Sequence, residues 1–303
     1  MSQRIVIAGG SGFIGRSLTA ELLAKHFAVT ILTRTPRLRA DGVLEIAWDG
    51  KTFGDWANTL DGADAVINLA GRSINCVHSA ANRRHILESR VDPTRVLAAA
   101  IRRATRPPKV LVQASAIGFY GNTGDTACDE SSPAGQGFLA ENCRAWEAAL
   151  DAESLPATRC VILRFGVVLG RDGGALPALA RLTKLFLGGV AGNGRQFISW
   201  IHQADLNRII LAALENESWR GVFNTVAPQP VTNAEFMRAL RRALRRPWSP
   251  PAPAFAVRLL APLLGTDASL VLDGQRVLPQ RLAEQGFQFQ FPELRGSLEQ
   301  ILR

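Results

Sequence analysis

Residues 4–15 read RIVIAGGSGFIG, which sets Gly9, Gly12 and Gly15 three residues apart between an apolar run and an apolar helical pattern. That order fits the binding of a dinucleotide phosphate. Gly9 permits a tight turn, Gly12 lets the backbone approach a pyrophosphate, and Gly15 lets the helix pack closely on the strand. The helix start, with Phe13 and Ile14 in its first turn, offers free N–H groups and partial positive charge. A glycine turn that binds nothing is the plain alternative. The strand before it and the helix after it argue for the ligand.

A second strand pattern ends Leu32-Thr33-Arg34, with Arg37 three residues on and no acid between. Chains that bind NAD usually carry Asp or Glu here to accept from the ribose hydroxyls. A guanidinium instead pairs with a 2′-phosphate through two parallel hydrogen bonds, where a carboxylate would repel it. The sequence therefore favours NADP(H), with an exposed loop arginine as the bland reading. Further on, INLAG (67–71) ends a fourth strand, and its small Ala70 and Gly71 let a cofactor lie against the sheet's carboxyl edge. Ser115 closes the fifth strand, and Tyr120, the only tyrosine, follows in the same loop. Its hydroxyl can donate a proton or merely pack. Asp205 in WIHQAD reads as a helix N-cap with His202 bonding locally, and Asp129-Glu130 as a solvated turn.

These residues need elements to position them, and 303 residues, 47% hydrophobic and 20% charged, can build a large core. Arg4–Ala8, Ala28–Thr33, Val43–Trp48, Ala65–Ala70, Val110–Ala114 and Cys160–Phe165 are short apolar runs. Helical patterns lie near 13–25, 82–104 and 138–152. The alternation predicts an α/β, Rossmann-type doubly wound parallel sheet, and the near-continuous apolar runs predict strands covered on both faces. Past Gly170 the pattern loosens into strand-like 197–201, a helix from Asp205, a strand at 221–226 and a helix over Asn233–Arg245. A proline-rich linker follows, and FQFQF at 287–291 reads as β-like. The expected division is a nucleotide-binding domain over 1–170, to which 196–226 return, and a C-terminal substrate lobe from 171–195 and 227–303.

The formal charge is +9, and the cations are nearly all arginine, with one cluster at Arg238, Arg241, Arg242, Arg245 and Arg246. Such a run reads as a solvated helix face before it reads as a nucleic-acid patch, and anionic small molecules explain a basic excess equally well. Four cysteines lack metal-ligand spacing, which points away from zinc and disulfides and suits a reducing compartment. No leader pattern precedes the first strand, and no apolar run approaches the ~18–20 residues of a spanning helix. The expectation is a cytoplasmic protein with a small-molecule substrate and neither nucleic acid nor membrane as partner.

Read together, GGSGFIG, LTR, INLAG, ESRVDPTR, ASAIGFYG, FLAENCRAWEAA, RFGVVLGRDGGAL, QFISWIHQADL, FNTVAPQPVTNAEF and GQRVLPQRLAEQGFQFQFPEL cover most of the chain. The sequence resembles the extended short-chain dehydrogenase/reductases. More narrowly it is similar to the atypical YfcH-like branch whose members are labelled nucleoside-diphosphate-sugar epimerase or epimerase family protein. The resemblance implies that Thr33 and Arg34 hold the adenosine ribose and 2′-phosphate, and that Leu69 and Ala70 line the cofactor. Arg90 falls where extended members place an Asn facing the pyrophosphate and nicotinamide ribose, and Val168 would flank the nicotinamide. Dimers built from two packed helices are common in such relatives, which implies a homodimer here. Val77 stands where a basic residue is expected.

The superfamily moves its proton through a Tyr-x-x-x-Lys pair. With Glu147 as anchor, those positions fall on Leu139 and Cys143, neither of which can do that work. Ser115 and Tyr120 are then the candidate catalytic residues, with Glu141 and Cys143 one helical step from the missing positions. The reading is an NADP(H)-dependent oxidoreductase or epimerase-like enzyme on an unidentified small substrate, a nucleotide sugar by family label. The alternative is a regulatory or scaffold protein that binds NADPH without turnover.

Overall fold

A computed structural model describes residues 2–303. The chain opens with β1 (Arg4–Ala8), α1 (Phe13–Ala24), β2 (Ala28–Thr33), β3 (Leu44–Ala47) and β4 (Ala65–Asn68). Then come α2 (Ala80–Arg103), β5 (Val110–Ala116), β6 (Ala127–Cys128), α3 (Phe138–Asp151), β7 (Arg159–Phe165) and β8 (Val167–Leu169). The next stretch holds α4 (Leu176–Lys184), β9 (Phe197–Ile198), β10 (Trp200–His202), α5 (Gln203–Glu215) and β11 (Gly221–Thr225). Last are β12 (Val231–Thr232), α6 (Asn233–Ala243), α7 (Ala254–Leu263), α8 (Ser269–Leu272), β13 (Arg276–Val277), α9 (Gln280–Glu284) and α10 (Leu294–Leu302).

Seven strands form one parallel sheet in the order β11-β7-β5-β4-β1-β2-β3. The order reverses direction between β1 and β4, and in such sheets a ligand binds outside the carboxyl ends at that switch point. Alternate residues of each strand feed different cores. Ile5 and Ile7 of β1 join Leu18, Leu22 and Ile209 on the face covered by α1 and α5. Val6 and Ala8 join Leu97, Ile101 and Leu150 on the face covered by α2 and α3. Both faces being buried is why the strands read as unbroken apolar runs. A third core, with Trp200, Phe236, Leu240 and Leu298, ties β10 to α6 and α10.

Three expectations are corrected. β4 stops at Asn68 rather than Ala70, because the Asn68 side chain accepts the Ala70 N–H at 3.1 Å and turns the backbone off the sheet. The FQFQF segment is not a strand. Phe287 and Phe289 pack edge-to-face on the first core, and the N–H groups of Gln290 and Phe291 donate to Asp205 at 2.9 and 2.8 Å. Asp205 therefore does not cap α5; His202 does, its Nδ1 accepting the Ala204 N–H at 3.1 Å. Burial also depresses the His202 pKa.

Asp205 is fully buried and also pairs with Arg208 at 2.9 Å, so it fastens the chain's last segment to α5. Replacing it by Ala leaves two backbone donors without their acceptor and Arg208 with only the Gln288 carbonyl. Asp205→Ala should lower unfolding free energy by about 2–4 kcal/mol, read from the urea midpoint. An unchanged midpoint would contradict the anchoring role.

Candidate cofactor site

The site begins at the β1–α1 turn. Gly9 has φ +75°, and a Cβ there would lie 2.9 Å from the Leu69 carbonyl oxygen and 3.0 Å from Ala70 Cα. At Gly15 a Cβ would sit 2.4 Å from the Gly10 oxygen, so α1 can approach the turn only because the side chain is missing. Gly12 caps α1 without a side-chain hydrogen bond. Among the described residues nothing accepts from the first-turn amides of Phe13, Ile14 and Gly15. The Phe13 ring lies against Gly173 and Gly174, where an added Cβ would come within 2.4 and 3.2 Å of it. Ile14 packs on the first core. The turn thus presents backbone N–H groups rather than side chains, which is the arrangement an anionic phosphate needs.

At the end of β2, Thr33 is buried, and its hydroxyl lies 3.3 Å from that of Ser11 in the glycine turn. Arg34 is exposed and forms no ion pair among the described residues. Glu45 on β3 is the acid near this loop, but it accepts from the Arg37 N–H at 2.9 Å and pairs with Arg39 at 3.4 Å. The Arg34 guanidinium is left without a carboxylate.

Beyond β4 the backbone of Leu69, Ala70 and Gly71 is set from below by buried amides. Asn68 donates to Gln113 at 2.9 Å and to Thr94 at 3.2 Å, and Trp146 donates to Thr94 at 3.1 Å. Arg90, one turn before Thr94 on α2, reaches up beside Gly71, whose Cβ would lie 3.4 Å from its guanidinium carbon. It donates to the carbonyls of Ile86 and Arg72 at 3.1 Å each and stacks over Trp146. Among the described residues no carboxylate balances it, and burial pulls its pKa down. A half-buried cation held by carbonyls, the Ser89 hydroxyl and a ring is a ready partner for an anion.

Ser115 and Tyr120 are brought together, in one buried network. The Ser115 hydroxyl donates to Glu147 at 2.5 Å, and Glu147 also accepts two bonds from Arg164, at 2.8 and 2.7 Å. Arg164 donates to the Tyr120 oxygen at 2.9 Å, and Tyr120 donates to Asn224 at 2.8 Å. Burial works against the Arg164 charge, but Glu147 outweighs it and the pKa is raised. Ser115 is 2% and Tyr120 3% exposed. Both hydroxyl protons point into the protein. Cys143 is buried against this turn, within 3.6 Å of where a Gly118 Cβ would be, and burial pushes its thiol up to about 12. Val168 is half-buried against the first core, and Glu141 opens α3. Asp129 closes a turn on Ser131 and Ser132, whereas Glu130 accepts from the Asn224 N–H at 2.8 Å and burial raises its pKa.

Glu147, Arg164 and Asn224 were not among the candidates. A charged residue inside the apolar run RCVILRF is the signal that could have found Arg164, since such a charge is buried only when paired.

Sheet order, glycine turn and open helix terminus define a Rossmann-type dinucleotide-binding protein. The model of the NAD dependent epimerase/dehydratase family matches residues 5–225, and a domain of unknown function, DUF1731, matches 252–301. The chloroplastic homologue of epimerase family protein SDR39U1 from Arabidopsis thaliana is 39% identical over 99% of this chain and 86% of its own length. Epimerase family protein YfhF of Bacillus subtilis is 35% identical over 98% of this chain and 97% of its own. The crystal structure of human SDR39U1 (isoform 2) with NADPH superposes with a TM-score of 0.88 at 38% identity, over 99% of each chain. This chain belongs to the NAD dependent epimerase/dehydratase family.

Tyr120 is the chain's one tyrosine, so phenolate absorbance reads it alone. Burial raises its pKa, opposed by Arg164. With the folded value raised, the unfolded chain ionises first, and stability falls as pH climbs from about 10. Spectrophotometric titration should show the phenol ionising above the ordinary tyrosine value of about 10, together with alkaline unfolding. A phenol titrating below about 10 in folded protein would contradict the network.

Proposed function

We propose that the chain is an NADP(H)-binding protein whose cofactor lies across the carboxyl edge of the sheet. The observation that carries this is the Arg34 guanidinium, exposed and without a carboxylate partner at the end of β2, beside the open start of α1. The α1 amides would take the pyrophosphate, Thr33 and Arg34 the adenosine ribose and its 2′-phosphate, and Arg90 the pyrophosphate or nicotinamide ribose. Leu69, Ala70, Gly71 and Val168 would line the path between. The human relative with NADPH supports the same choice of cofactor.

A bound nicotinamide supplies a hydride. Turnover would make this an oxidoreductase or epimerase-like enzyme on a small substrate, and two observations favour that second reading: the description of the family and the uncompensated Arg90 charge at the inner end of the cleft. Against it stand the inward-pointing hydroxyls of Ser115 and Tyr120, which offer a substrate no proton. The cofactor-binding reading is therefore the primary one, and the partner at the nicotinamide end is an unidentified small molecule.

NADPH at a hundred times its Kd should stabilise the fold by roughly 2.7 kcal/mol, read as a rise in Tm, with little effect from NADH at the same concentration. Equal shifts, or none, would sink the cofactor assignment. In the same protein, NADPH oxidation against a panel of aldehydes, ketones and keto sugars separates the readings. Oxidation above the substrate-free rate, lost in Arg90→Gln, would establish turnover, and no oxidation with any of them would leave the binding role.

A further inference from the structure

Large apolar side chains are exposed unevenly over this molecule. Leu38, Leu44 and Phe53 lie in the nucleotide-binding half, and among the described residues every other exposed large apolar side chain falls in 182–187 or 248–264. Helix α7 is built inside out. Its small or lightly exposed faces (Ala254, Val257, Ala261) turn to the protein, while Phe255, Leu259 and Leu263 stand in solvent at 73%, 69% and 79% exposure. A surface helix of a globular protein normally does the reverse.

The linker ahead of α7 is fastened to the first segment. Ala252 donates its N–H to the Val190 carbonyl and accepts from Gly192, both at 2.8 Å, and the Pro250 carbonyl abuts Gly189. Arg246 donates to the Lys184 carbonyl at 3.2 Å and stacks on Phe186. Phe186 and Arg245 both hold left-handed backbone, φ 61° and 55°. That conformation is costly for residues of this kind, and here it leaves the Phe186 side chain on the surface, 45% exposed.

The charge within these two segments has one sign, with Asp273, after α8, in electrostatic reach of Arg258. Residues 181–204 and 236–266 contain no Asp or Glu, and they carry Arg181, Lys184, Arg242, Arg245 and Arg258, all exposed and none in an ion pair among the described residues. A second copy placed face to face would set cations against cations, so self-pairing through this face is opposed. Nucleic acid has the charge but no use for a leucine helix. Exposed Leu, Phe and Trp flanked by arginines match the boundary of an anionic bilayer, where apolar side chains enter the acyl region and guanidinium groups meet phosphates.

We propose that the α7 face, with Trp248 and Phe186 beside it, is an interfacial docking site for an anionic phospholipid membrane. That no helix among the described residues is long and apolar enough to cross a membrane does not oppose this, because the contact lies in the plane of the bilayer. The chain past α7 also reaches the loop after Arg72: Asp267 accepts from the His78 N–H at 3.3 Å and Thr266 donates to Asn75 at 2.6 Å.

The test is co-sedimentation of the full chain with vesicles of phosphatidylcholine alone and with about a third phosphatidylglycerol. Binding is expected to the mixed vesicles only, weakening as salt is raised, and falling on the order of a hundredfold in a Phe255→Ser, Leu259→Ser, Leu263→Ser variant. The variant should keep its NADPH-induced rise in Tm, which shows that the fold is intact. Three results would overturn the proposal: no binding to mixed vesicles, equal binding to both kinds, or unchanged binding by the triple variant. Wild-type self-association lost in that variant, with no vesicle binding, would mean that a second copy covers the face.

Discussion

Where β1 turns into α1 there is no room for a side chain at three successive points. Gly9 backs onto the chain leaving β4, Gly10 onto Ile31 of β2, and Gly15 onto Gly10 itself. A Cβ at any of them would come within 2.4 to 2.9 Å of its neighbour. Because β1 lies between β2 and β4, this crowding fixes three things at once: the tilt of α1, the end of β2 that carries Thr33 and Arg34, and the departure of Leu69–Gly71 from β4. The start of α1 can face the switch point of the sheet only under that constraint, and the cofactor reading depends on it.

A second arrangement governs the nicotinamide end. Where the superfamily resemblance would place a tyrosine and a lysine, this chain has Leu139 and a buried Cys143, and the neighbouring polar groups close on each other. Glu147 and Arg164 form a paired charge with side chains 10% and 5% exposed, and they gather Ser115, Tyr120 and Asn224 around them. Removing either ion would leave the other buried and uncompensated, at a cost of about 3–5 kcal/mol. The network ties β5, α3, β7 and β11 together beneath the cleft. It makes a rigid floor, and it withdraws the two hydroxyls that the sequence offers for proton transfer.

The sheet and its candidate cofactor edge could be read because they rest on local steric rules. Glycine spacing, apolar runs buried on both sides and the lack of an acid after Thr33 each have one short-range cause. What was not legible depends on partners far apart in the chain. Asp205 looks like a cap until Gln290 and Phe291 arrive to use it, and FQFQF alternates like a strand until those same bonds claim its backbone. Ser115 and Tyr120 look reactive until Glu147 and Arg164 fold onto them. The exposure of α7 was hidden for a similar reason: its sequence is that of a core helix, and only the packing shows that its alanines face inward.

The most direct measurement is calorimetric titration of the protein with NADPH and with NADH, repeated on Arg34→Ala. The account predicts tighter binding of NADPH by at least about tenfold, with most of that difference gone in the variant while NADH binding is little changed, as expected when one charge-assisted phosphate contact is removed. Equal affinity for the two nucleotides, or a preference that survives the loss of Arg34, would contradict it.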